Sequence, residues 1–213
     1  MLLGAMQECL TDFYGLDLAH DVNDFLVTDR VIAGALGGAQ RGDEELLISE
    51  DDEGAGIALY LEQALLDRLR DNDPIVELNQ QNLADFWTAF EGVSHFTYFV
   101  FKATDDQCVT LLELELQAEV DKFVATSLLL HGQGGRVPAG LHQWLFDLPC
   151  FAATLSAEEV VRYADANRYA ARLCRRFLRE VRERGWSEQA RRDLQRFYRL
   201  PREEKIRYIE AVV

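Results

Sequence analysis

The sequence predicts an α+β fold that is predominantly α-helical, with a small antiparallel β-hairpin or sheet near the N-terminus packed on a helical body. Three observations carry this expectation. Two capping boxes, Thr110-Leu-Leu-Glu113 and Ser156-Ala-Glu-Glu159, each open a long run of good helix formers. Two short apolar runs, Glu45-Leu-Leu-Ile-Ser49 and Ile57-Ala-Leu-Tyr-Leu61, flank the turn-like Glu50-Asp-Asp-Glu-Gly-Ala-Gly56. About half of the 213 residues are apolar (48%), enough for one sizeable core, so residues 1–213 are read as a single domain.

The elements follow in order. Leu3, Met6, Leu10, Phe13 and Tyr14 form a helical stripe within 1–20. Four glycines in 34–43 predict a loop. Asp24-Phe-Leu-Val-Thr28 is a candidate third strand beside the hairpin. A helix carrying Leu61, Leu65, Leu66 and Leu69 is expected to stop at Asn72-Asp-Pro74, because the residue before proline avoids the helical region.

A long helix is expected from Asn82, as its cap, to Lys102. A turn at Thr104–Gln107 leads to a second long helix over 111–130. Leu112, Leu114, Leu116, Ala118 and Val120 alternate with polar residues and would also fit a strand, but the cap and the helix formers favour helix. Residues 131–140 are a glycine-rich loop. A helix from Ser156 to Arg184 is stopped by Gly185, one from Ser187 to Tyr198 follows, and Pro201 starts a last short one. Five or six of these helices are expected to make up the body beside the small sheet.

Charge is divided sharply along the chain. Residues 1–155 hold seven Lys or Arg against twenty-seven Asp or Glu, net −20. Residues 156–213 hold fifteen basic groups, fourteen of them Arg, against ten acidic ones, net +5. The acidic α+β part repels phosphates, so nucleic acid and anionic membrane are not its expected partners. The Arg-rich part sits on amphipathic, capped helices. Arg168, Arg172, Arg175, Arg176 and Arg179 on the first of them are candidate partner-binding residues, because guanidinium groups make bidentate contacts with carboxylates.

The most apolar stretch, Phe86 to Phe101, has sixteen residues and contains Glu91 and His95, whereas a membrane span needs ~20. The N-terminus lacks the basic start and apolar run of a signal peptide. Cys9, Cys108, Cys150 and Cys174 are scattered, with no C-x-x-C pair, so reduced thiols in a cytoplasmic protein are expected, each as a small buried apolar residue.

One constellation could carry chemistry. Glu91 and His95 are four apart and share a helix face. If the two long helices fold back on each other about 104–105, His95 comes level with Glu113 and Glu115, and Glu91 with Gln117 and Glu119. Glu91, His95 and Glu113 are the candidate catalytic residues; with Gln117 they are the candidate ligands of a divalent metal. No other cofactor is expected, since G-x-G-x-x-G and G-K-[ST] are absent. Arg136 and His142 are a further pair, but Pro138 and Gly140 between them prevent one helix from presenting both.

Two functional expectations follow. The first is a cytoplasmic, non-enzymatic binding or adaptor protein that engages a protein partner, or a second copy of itself, through charged surfaces. The second is a metal-assisted enzyme of the hydrolase or oxidase class that uses the Glu/His cluster.

Overall fold

The structure, a computed structural model, describes residues 2–39, 42–51, 54–147 and 156–211. Helix α1 (Leu2–Tyr14) is followed by a 3-10 turn at Val22–Phe25, strand β1 (Leu26–Val27) and the short helix α2 (Arg30–Ala35). Strands β2 (Glu44–Asp51) and β3 (Gly54–Leu61) come next, then α3 (Gln63–Asp71), α4 (Leu83–Thr104) and α5 (Leu111–Gly132). A short α6 (Leu141–Phe146) precedes α7 (Ala157–Arg184), α8 (Glu188–Arg199) and α9 (Arg202–Ala211). The expected class, α+β and mainly helical, is the one observed. Among the described residues there are nine helices: the seven segments read from the sequence, with α2 and α6 added where the sequence shows only loop punctuation.

The sheet differs from the expected antiparallel one. β2 pairs antiparallel with β3 in the register Leu46↔Leu59 and Ile48↔Ile57, but β1 joins β3 in parallel, Leu26↔Leu59, to give the order β1-β3-β2. The two hairpin strands also run through most of the expected turn at 50–56, pairing Ser49 with Gly56 and Asp51 with Gly54. Alternation gives each sheet face its own neighbour. Leu46, Ile57, Leu59 and Leu61 pack with the main core, while Leu47, Tyr60, Val27, Ala58 and Ala33 form a smaller cluster under α2.

The capping boxes form as read. Thr110 accepts from the Glu113 amide and Glu113 accepts from the Thr110 amide; Ser156 and Glu159 do the same for α7. Gly185 ends α7 with φ 75°, a left-handed conformation that a side chain would strain. Asn82 is not a side-chain cap for α4. Its side chain instead ties down the preceding loop, accepting from the Asn79 amide and donating to the Glu77 and Asn72 carbonyls.

Helix α5 is the centre of the molecule, buried on nearly every side from Glu113 to Ser127 and packed against α4, α6 and α7. One apolar core runs from Leu3 in α1 to Ile209 in α9, so the Arg-rich helices belong to the folded body. Cys174 is buried and Cys9 half-buried, but Cys108 is exposed in the α4–α5 turn, contrary to expectation; Cys150 lies outside the described residues. Among the described residues no helix is long and apolar enough to cross a membrane.

Candidate metal centre

A helix buried on all sides must satisfy polar residues on several faces, and α5 does so with two separate networks. At 100° per residue, Glu115, Glu119 and Lys122 fall on one face, and Glu113, Gln117 and Asp121 on the opposite one. The α4 segment Phe90-Glu-Gly-Val-Ser-His-Phe96 feeds both: Glu91 and His95 turn to the first network, Ser94 to the second.

The first network is the candidate centre. Single donor atoms of Glu91, His95 and Glu115 all lie within 4.8 Å of one another. His95 Nε2 is 3.5 Å from Glu115 Oε2, and Nδ1 is 3.3 Å from Glu44 Oε1. Among the described residues Nε2 has no hydrogen bond of good geometry, although it is buried. Lys122 Nζ donates to Glu91 Oε2 and Glu119 Oε1, both at 2.8 Å. From α7, Arg162 Nε stands 3.9 Å from Glu115 Oε1, and the Tyr163 hydroxyl is pushed up chiefly by burial, with the Glu115 carboxylate adding to the rise.

Glu44 is the member that sequence reasoning missed. It opens β2 on the same face as Leu46, where alternation calls for an apolar residue. It reaches α4 because position 92 is glycine: a Cβ there would lie 2.7 Å from Glu44 Cγ and 2.8 Å from Leu59 Cδ1. The signal available in the sequence was the adjacent Glu91-Gly92 in an otherwise bulky helix, together with a charged residue at the inward end of a strand.

Electrostatics reflect crowding in a dry place. Burial is the main reason the Glu44 and Glu119 carboxyls are held above their usual range; His95 and Lys122 respectively work against it. Burial also opposes ionisation of Glu91, but Lys122 and His95 outweigh it and hold Glu91 low. For His95, burial disfavours the charged form, yet Glu115 and Glu44 together lift it well above the ordinary imidazole value. Four carboxylates, when ionised, thus face three cations in the metal-free protein, Lys122, Arg162 and the protonated His95 ring; an ion bound at Nε2 would release the imidazole proton and leave an excess of two negative charges. That excess equals the charge of one divalent ion.

The donor set fits such an ion. Carboxylate oxygens with one imidazole suit Mn, Fe(II), Co or Zn, at about 2.0–2.2 Å per bond. Donors on a tetrahedral ion sit about 3.4 Å apart, so binding would draw these side chains together by roughly 1 Å, within the range of side-chain rotation.

Two sequence-predicted members belong elsewhere. Glu113 is not beside His95: its carboxylate is taken by the Thr110 amide and hydroxyl at 3.0 and 2.9 Å. The expected level was right, and Glu115 is the residue on the facing side. Gln117 lies in the second network, donating to Asp121 Oδ1 at 2.8 Å and accepting from Lys205 Nζ. Tyr14 and Ser94 also donate to Asp121, each at 2.6 Å. Burial raises Asp121 to about 6 and lowers Lys205 to about 7, with the neighbouring Lys102 charge adding to the Lys205 shift. Lys205 is enclosed by Tyr98 and Phe197, 4.5 and 4.6 Å from the ring centres.

The remaining candidates are separate. His142 is buried with Nε2 2.8 Å from the Ala171 carbonyl, and it does not meet the exposed Arg136. Arg168 pairs with Asp165, Arg176 with Asp193 and Arg179 with Glu183, while Arg172 donates to the Glu210 carbonyl. These partners all lie on α7, α8 and α9, so the Arg-rich helices largely satisfy one another and not the acidic half. No family model, curated protein or solved structure matches the chain.

Proposed function

We propose that this protein binds one divalent transition-metal ion between α4 and α5, through Glu91, His95 and Glu115. The observation that carries the reading is the convergence of these three donors within 4.8 Å, two from α4 and one from α5. The buried excess of negative charge supports it, since an unbalanced charge in low dielectric is costly until it is paired. Glu91, with 23% of its side chain exposed, is the most open of the three and marks where solvent or a small substrate would reach the ion. Metal-assisted hydrolysis or oxidation is the reaction class that such a position would serve. The cytoplasmic location and reduced thiols expected from the sequence are part of this proposal.

An adaptor role through Arg168, Arg172, Arg175, Arg176 and Arg179 stands as the second proposal. The charge division along the chain supports it. The internal partners of four of these arginines weaken it, because a partner would have to displace them.

Cobalt(II) titration tests the first reading. One equivalent should produce visible d–d absorption and raise the melting temperature; an ion at 100 times its Kd stabilises by about 2.7 kcal/mol. Absence of both changes at a tenfold molar excess would overturn it.

A further inference from the structure

We infer a second site, for a small phosphomonoester, in the cleft between the α5–α6 loop and the C-terminal turns of α7. The cleft has a volume of about 560 Å³, in the size range of ligand pockets. Arg136 reaches it from the loop, and Arg179 and Arg182 from successive positions on one side of α7. Val137 and Pro138 form an apolar wall between them.

The charge balance gives the ligand class. Three guanidiniums face one carboxylate, Glu183, whose Oε1 lies 3.2 Å from Arg179 Nε. The cleft therefore holds a net charge of +2 inside a chain of net −15. Among the described residues Arg136 and Arg182 make no hydrogen bond or ion pair, unlike most arginines of the C-terminal helices. Basic residues in the last turn of α7 are favoured by the helix carbonyls alone. That does not account for Arg136, which another element brings to the same cleft.

Guanidinium forks donate paired hydrogen bonds to phosphoryl oxygens, so a dianionic phosphate matches both the charge and the donor geometry. The wall of Val137 and Pro138 favours an ester with an apolar body over inorganic phosphate. The site is independent of the proposed metal centre, which occupies the α4–α5 interface.

Isothermal titration of the full chain with phenyl phosphate, phenyl sulfate and inorganic phosphate at pH 7.5 tests the inference. Phenyl phosphate should bind in a saturable way. Phenyl sulfate, of similar shape but one charge fewer, should bind at least about fivefold more weakly, as should inorganic phosphate. R136Q and R182Q should each weaken phenyl phosphate by about tenfold, and E183Q should tighten it. All three positions are exposed, so circular dichroism should show an unchanged fold. No saturable binding of phenyl phosphate up to about 10 mM would overturn the site, and so would affinity that R136Q and R182Q both leave unchanged.

Discussion

Glu44 and Gly92 are fitted to each other: a Cβ on residue 92 would come within 2.7 Å of Glu44 Cγ and 3.0 Å of its Oε1. The contact joins the first residue of β2 to the middle of α4, and it places a strand carboxylate against His95. Gly92→Ala must therefore push either the strand or the carboxylate away. In an open helix this exchange would stabilise by roughly 1 kcal/mol through propensity. Here we expect a net loss of about 1–3 kcal/mol from overpacking. Urea unfolding monitored by circular dichroism would measure it.

Lys122 competes with any ion for Glu91. Its ammonium is 2.8 Å from both Glu91 and Glu119 and is almost fully buried. Lys122→Met should destabilise the metal-free protein by about 3–5 kcal/mol, because it leaves buried carboxylates without a partner. The same change should tighten metal binding, so added Co(II) or Zn(II) should raise the melting temperature of the variant more than that of the wild type. An equal rise in both would show that Glu91 does not bind the ion.

Lys205 is expected to make stability rise with pH above neutrality. Its folded-state value of about 7 lies below the ordinary 10.5 because burial penalises the ammonium. Between these two values the unfolded chain binds the extra proton, so stability increases with pH through that window. The penalty is fully present below about pH 7 and is relieved towards pH 10.5. Lys205→Met should therefore stabilise the protein most at or below neutral pH, by up to the order of 4 kcal/mol, less the cost of leaving the Gln117 carbonyl without its donor. Denaturant midpoints of wild type and variant at pH 7 and pH 10 are the measurement. A variant advantage that fails to shrink at pH 10 would contradict the assignment.

The capping boxes offer a simpler check. Ser156→Ala removes the acceptor for the Glu159 amide at the start of α7. A loss of about 1 kcal/mol is expected, with no loss of metal binding, since none of the three donors lies on α7.

Much of the fold is legible in the chain because local signals and burial agree. Thr110, Ser156 and Gly185 each act within four residues, so their spacing reports their role. What could not be read depends on which face of a buried helix meets which neighbour. Glu113 and Glu115 are two residues apart and both buried, and hydropathy cannot tell them apart when α5 is covered all round. The capping box does distinguish them, because a carboxylate engaged by the Thr110 amide cannot also reach His95. Glu44 lies 51 positions from His95 in sequence, and only the register of the hairpin brings the two together. Strand β1 falls within the expected 24–28, but its parallel direction was not legible, because it is set by pairing with the distant β3 and two residues of strand carry almost no period.

In the proposed metal centre Glu115 of α5, and not Glu113, joins Glu91 and His95. Equilibrium dialysis against Zn(II) or Mn(II), followed by elemental analysis of wild type, Glu115→Gln and Glu113→Gln, tests it most directly. About one ion per chain is expected for wild type and for Glu113→Gln, and a loss of at least tenfold in affinity for Glu115→Gln. No bound ion in the wild type, or equal retention by Glu115→Gln, would contradict it.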